Sequence, residues 1–199
     1  MYLSDGNLRM NIPTWSLPAE KTCPNATKDC MNNCYAKKAE RMYKNTRLSR
    51  ARNLNDSKRK DFVPKMSGLI KKKKSKYIRI HESGDFYSQI YLDKWFEICR
   101  KFPKKRFLAY TQMYNLDWSN KPENLIVYWS VWPDSKKVPR KGLRATVIDD
   151  GTGRLKNKDM SSKRLKTAFK CKKGHGSKLT CELCLYCFKG KGDVIFKIH

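Results

Sequence analysis

The most regular patterning in the chain lies in its middle third. Tyr77-Ile78-Arg79-Ile80-His81 alternates as a strand does, and beyond Gly84-Asp85-Phe86-Tyr87-Ser88 the residues Leu92, Trp95, Phe96, Cys99 and Phe102 recur at helical spacing. Pro103 stops that helix. Further strands are predicted over residues 106–111, 125–131 and 143–148, with a closing strand over 193–198. Strand–helix–strand at this spacing predicts a βαβ unit, hence a parallel sheet whose functional edge is at the carboxyl ends of its strands. The later connections are too short for full helices. The expected fold is therefore α/β, with a partial or degenerate parallel barrel-like sheet.

Outside this core the pattern is looser. Residues 1–22 read as an extended lead-in anchored by Trp15 and Leu17. Residues 36–59 are helix-permissive and basic, and Met42, Leu48 and Leu54 are too sparse for a deep core face, so a partly exposed helix is expected, punctuated by Pro64 and Gly68. Residues 150–180 are rich in Gly and Lys and predict a loop, or a short basic helix around Met160 to Phe169. No internal repeat is present. The chain reads as one domain over 1–199, with a cysteine loop (1–35), an α/β core (76–150) and a basic, cysteine-rich segment (151–199).

Composition sharpens this picture. The 199 residues are 39% hydrophobic and 12% aromatic, enough for a core. The 45 Lys and Arg against 18 Asp and Glu leave a net charge of +27, which strains a compact fold unless a polyanion offsets it and so points to nucleic acid, DNA or RNA. No window approaches ~18 apolar residues and the first residues lack a signal-peptide core, so neither a membrane span nor secretion is expected. A cytoplasmic location follows. Phosphate contact is expected from Arg154, Lys156, Lys163, Arg164, Lys166, Lys172 and Lys173, against the alternative of a solvated loop. Among the aromatics near basic residues, Trp118 and Trp132 are the candidates for base stacking, whereas Trp129 suits the core.

Eight cysteines in a chain of this class point to metal ligation rather than disulfides. Cys99 shares the apolar stripe of its helix and packs as a small hydrophobe. Cys181-x2-Cys184-x2-Cys187 begins the spacing of ferredoxin-type [4Fe–4S] sites, and a remote cysteine must complete the set. Zinc is the alternative at one site, with Cys171 and His175 as a second ligand pair. Cys23-x6-Cys30-x3-Cys34 outlines a second ligand loop whose three thiolates leave one cluster iron open. The seven cysteines with His175 supply eight ligands, enough for two four-ligand sites or for one cluster shared between the ends of the chain. The expected cofactor is one or two [4Fe–4S] clusters.

The segment His81-Glu82-Ser83-Gly84-Asp85 follows a strand directly, which places its polar groups at the carboxyl edge. His81 suits acid or base chemistry, Glu82 and Asp85 suit a metal or an amine, and Gly84 admits close backbone approach. The competing reading makes Asp85 the cap of the next helix, with Ser83 assisting. Thr111, Gln112, Ser130 and Trp132 follow later strands and line the same edge. The candidate catalytic set is His81, Glu82, Ser83, Asp85 and Gln112.

Taken together, CPNATKDCMNNCYA, RIHESGDFYSQIYLDKWFEI, WSVW, CELCLYC and the closing IFKIH resemble the phage gene-product-88 family over nearly the whole chain. More distantly, a cysteine loop leading to CYA and a strand ending in SGD are similar to barrel-type phage proteins related to radical S-adenosylmethionine enzymes, although the radical-enzyme spacing Cys-x3-Cys-x2-Cys does not occur here. The resemblance implies an iron–sulfur protein of phages or mobile elements, located in the host cytoplasm if phage-encoded. The expected function is such a protein binding nucleic acid through its basic surface. The alternatives are a cluster-dependent, radical-type enzyme modifying nucleic acid, and a zinc-stapled regulatory protein acting on a host partner.

Overall fold

The computed structural model describes residues 1–7, 10–155, 163–172 and 179–198. Its centre is a seven-stranded sheet, every strand pair parallel, formed by β1 (Thr14–Trp15), β2 (Tyr77–Ile80), β3 (Arg106–Thr111), β4 (Leu125–Val131), β5 (Leu143–Ile148), β6 (Phe169–Lys170) and β7 (Val194–Lys197). The order is β1-β2-β3-β4-β5-β7-β6. Among the described residues β1 pairs only with β2 and β6 only with β7, so the sheet is a linear array and no pairing closes it toward a barrel. The strand expected at the C-terminus is β7, and it is an interior strand because the two-residue β6 lies outside it.

Both faces of the sheet are covered, as a parallel sheet requires. On the first face Ile78, Ile80, Phe107 and Ala109 meet α4 (Phe62–Lys71) and α5 (Gln89–Lys101) in the larger core. Helix α5 begins at Ser88, whose hydroxyl accepts the Tyr91 N–H, and it carries Arg100 and Lys101 at its dipole-negative end. Its buried face is Tyr91, Leu92, Trp95, Phe96, Ile98 and Cys99; four of these belong to the predicted stripe, whose last member, Phe102, stands at the C-cap and is partly buried. Trp15 packs against Phe62 and Trp95, and its indole N–H donates to the Tyr91 hydroxyl at 2.8 Å. On the second face Leu108, Tyr128 and Ala145 meet Ile12, Phe188 and Val194, so this core is roofed by the C-terminal segment.

The N-terminal helices depart from the expected single one. Between α1 (Lys28–Asn32) and α4 the chain forms α2 (Tyr35–Met42) and α3 (Lys44–Lys58), separated at Tyr43, whose backbone is extended. Pro64 does not end a helix; it stands in the first turn of α4, where its missing N–H has no intrahelical partner to lose. The buried face of α3 is polar: Arg50, Asn53 and Ser57. Asn53 accepts from the Tyr2 N–H at 2.7 Å and donates to the Tyr2 and Ser16 carbonyls, which fastens the lead-in chain. Periodicity of apolar residues cannot register such a face. Among the described residues no helix is long and apolar enough to cross a membrane.

A candidate thiol site at the carboxyl edge of the sheet

The loop before α2 folds over the carboxyl ends of β2 and β3. Thr27 accepts the Cys30 N–H and so starts α1, and Cys34 stands at the N-cap position of α2 without a side-chain capping bond. Cys23, Cys30 and Cys34 thereby share one electrostatic neighbourhood with Asp85. Burial pushes the Cys23 thiol up to about 12, reinforced by Asp85 and by the other two thiols. Cys30 is also pushed up to about 12 by burial, with a hydrogen bond from the Gln112 side chain opposing and Cys34, Asp85 and Asp134 adding. An uncompensated thiolate is costly in such surroundings.

Asp85 is the structural hinge of this edge. Its buried carboxylate accepts from the Thr111 hydroxyl at 2.6 Å and from the Phe86 and Gln112 N–H groups at 2.8 Å. Burial outweighs these bonds and raises its pKa to about 6. Ser88 rather than Asp85 caps α5. Gly84 adopts φ +83°, and a Cβ there would stand 2.5 Å from Thr22 Oγ1 and 2.6 Å from Leu17 Cβ. The Gln112 side chain accepts the Thr27 N–H at 3.3 Å, while its carbonyl accepts from Asn25 at 3.2 Å. Asp85 and Gln112 thus position the cysteine loop.

The remaining edge residues lie elsewhere. His81 is buried at φ +60°, its Nε2 is 2.9 Å from the Tyr91 hydroxyl, and its ring packs edge-on to Phe86. Burial, with Arg79 adding, lowers its pKa to about 3, so the imidazole is neutral. Glu82 accepts from Asn7 at 2.7 Å and its carbonyl accepts from the Tyr35 hydroxyl. Ser83 is buried, and its carbonyl accepts the Leu17 N–H. Three further residues join the edge: Asn25, Asp134, which accepts the Asp29 N–H at 3.0 Å, and Tyr114, whose hydroxyl donates to the Ser130 carbonyl. Asn and Asp in short polar loops carry no period, so of these only Asn25, between Cys23 and Cys30, is marked in sequence.

A second group forms against the other face. Cys187 has Cys171 and Cys181 as electrostatic neighbours, and burial raises its thiol to about 12 while a hydrogen bond with Tyr110 opposes. Cys184 closes α7 (Cys181–Cys184), the helix capped by Thr180. The electrostatic neighbours of Cys23 and Cys30 are Cys34, Asp85 and Asp134, whereas those of Cys187 are Cys171, Cys181 and Arg79. No disulfide joins the eight cysteines. Among the described residues no group of three or more His, Cys, Asp or Glu side chains is arranged to hold a metal ion. His175, expected as a ligand, lies outside the described residues.

The family model described as "Gene product 88" matches residues 3–190. The chain belongs to the gene product 88 family. It is similar to the Gene 88 protein of Mycobacterium phage D29, with 29% identity over 197 residues, and to the Gene 88 protein of Mycobacterium phage L5, with 29% identity over 202 residues. Each alignment covers 88% of this chain and 81% of the relative. No solved structure matches.

In this gene product 88 protein the expected phosphate-binding residues divide. Lys163, Lys166 and Lys172 are exposed, and Lys156 and Lys173 lie outside the described residues. Arg154 is exposed and pairs with Asp150 at 2.7 Å. Arg164, in α6 (Lys163–Lys166), is committed to the protein: its guanidinium donates to both Asp193 carboxylate oxygens and to the Arg140 and Gly142 carbonyls. Trp118 packs against Phe86, Phe96 and Trp129 and donates to the Met113 carbonyl. Its place is in the core, not at a stacking surface.

Proposed function

We propose that this gene product 88 protein is an iron–sulfur protein that binds nucleic acid, with its principal cluster held by Cys23, Cys30 and Cys34. The observation that carries the reading is the convergence of Cys23 and Cys30 on Asp85, with Cys34 beside both thiols and Gln112 bonded to Cys30, at the carboxyl edge of a parallel sheet, where α/β folds place their ligands. The residue type suits the group. Cys23 and Cys30, which burial makes costly to ionise alone, become favourable ligands when a cationic centre shares their charge. When bound, a cluster with three protein ligands offers electron transfer and one iron open to a further ligand. Asp85 and Gln112 hold the loop that presents the thiols. The net charge of +27 supports a polyanionic partner.

A second reading, a cluster-dependent enzyme of radical type acting on nucleic acid, is favoured by the same count of three thiols, since a fourth would close the site. Iron, sulfide and zinc stoichiometry after anaerobic purification tests both. The expected result is iron with acid-labile sulfide, lost in Cys23→Ala and Cys30→Ala. Zinc alone, or no bound metal, overturns the iron–sulfur assignment. An altered electron paramagnetic resonance signal on adding S-adenosylmethionine selects the enzyme reading, and an unchanged signal removes its radical form.

A further inference from the structure

Composition does not locate the basic surface, and the fold gathers one on α2 and α3, outside the C-terminal segment. Residues 35–58 hold eight Lys and Arg against two acids, Glu40 and Asp56. Both acids turn inward: Glu40 pairs with the buried Arg50 at 3.0 Å and Asp56 with the amino group of Met1. Lys37 pairs with Glu20. Six cations remain, Lys38, Arg41, Lys44, Arg47, Arg52 and Lys58; all are exposed, and none has an acidic partner among the described residues.

Apolar exposure is concentrated in the same place. Of the eight large hydrophobic side chains exposed among the described residues, four are Tyr35, Met42, Tyr43 and Leu48. Tyr43 is 58% exposed at the corner between α2 and α3, flanked by Arg41, Lys44 and Arg47. The first turn of α3 holds no acid. Isolated exposed hydrophobics need no explanation, but a cluster of them set among unpaired cations is the composition of a surface that neutralises phosphates and stacks bases. A duplex hides its base faces, whereas a single strand offers them to Tyr43.

We infer that the α2–α3 corner is the binding surface for single-stranded nucleic acid, with Arg41, Lys44 and Arg47 on phosphates and Tyr43 stacked on a base. The inference rests on the nucleic-acid reading above and deepens it. It also gives that reading a geometry. Cys34 stands at the N-cap position of α2 and Arg41 lies in its last turn, so the eight-residue helix sets the corner about 12 Å from the thiol site.

The test uses the anaerobically purified full chain, labelled single-stranded DNA and RNA oligonucleotides, and titrations at several salt concentrations. The parent should bind, with affinity falling steeply as salt rises. Combined Arg41→Glu, Lys44→Glu and Arg47→Glu should weaken binding at least roughly tenfold and flatten the salt dependence, by ~0.7 in log–log slope for each phosphate no longer neutralised. Tyr43→Ala should cost roughly tenfold with the slope unchanged. Combined Lys163→Glu, Lys166→Glu and Lys172→Glu should cost less than the corner variant. The DNA and RNA arms decide which strand is preferred. Should charge reversal unfold the chain, the corresponding triple Ala variant decides, with parental melting as the check on folding. Parental binding left intact by the corner variants overturns this inference and leaves the nucleic-acid reading standing. A parent that binds neither strand, or binds without regard to salt, overturns both. Equal displacement of the oligonucleotide by poly-glutamate overturns the assignment to nucleic acid in favour of an acidic peptide.

Discussion

Asp85 holds the end of a neighbouring strand: its carboxylate accepts the main-chain N–H of Gln112 at 2.8 Å, across the gap between the turn after β2 and the end of β3. Gln112 in turn receives the cysteine loop through the Thr27 N–H. One buried acid therefore reaches the thiols through a single intermediary.

Asp85→Ala leaves the Thr111 hydroxyl and the Phe86 and Gln112 N–H groups without their acceptor. A loss of about 3 kcal/mol is expected, from the stranding of buried donors. Urea unfolding reads the stability. Thiol titration of the metal-free protein reads the second consequence, faster reaction of Cys23 and Cys30 than in the parent. Loss of stability with unchanged thiol reactivity would show that Asp85 does not position the loop.

His81 makes stability fall toward acid. Its pKa is lowered from 6.5 to about 3 by burial, so between those values the unfolded chain binds a proton that the folded chain refuses. Its neutral form is fully accommodated above pH 6.5. The penalty grows as pH falls, reaching about 2 kcal/mol at pH 5. His81→Asn, which tolerates the left-handed backbone, should lose this part of the slope. Urea midpoints of parent and variant at pH 7 and pH 5 check it, since other titrating groups cancel in the comparison. Parallel losses in both proteins would place the acid sensitivity elsewhere.

Arg164 is expected to behave as a brace. Burial pushes Asp193 up, but Arg164 and Arg144 overcome it and leave the carboxyl below its usual range. Arg164→Ala removes charged hydrogen bonds from this half-buried carboxylate, at about 2 kcal/mol. Thermal melting should register that loss, while the salt dependence of oligonucleotide binding stays at the parental slope. A flattened slope at parental stability would mean that Arg164 meets phosphate after all.

Much of the fold was legible where a period exists. The strands over 106–111, 125–131 and 143–148 have the predicted bounds, and the stripe Leu92, Trp95, Phe96 and Cys99 is buried. The split of the basic helix at Tyr43 was not legible, because the buried face of α3 is made of Arg50, Asn53 and Ser57, whose worth depends on Glu40, Tyr2 and Tyr87. Nor was the two-residue β6, too short to carry an alternation.

The candidate site divides in the same way. Residue type and spacing alone marked the cysteines as candidates. Only the folded chain decided that Cys23 and Cys30 meet Asp85 with Cys34 beside them, that Cys171 and Cys181 neighbour Cys187, and that Arg164 and Trp118 serve the fold. Local patterns report the periods of helices and strands, which neighbours along the chain impose. Which charge is paired, and which is left bare on the surface, depends on groups tens of residues away, and only the packing of the sheet brings those together.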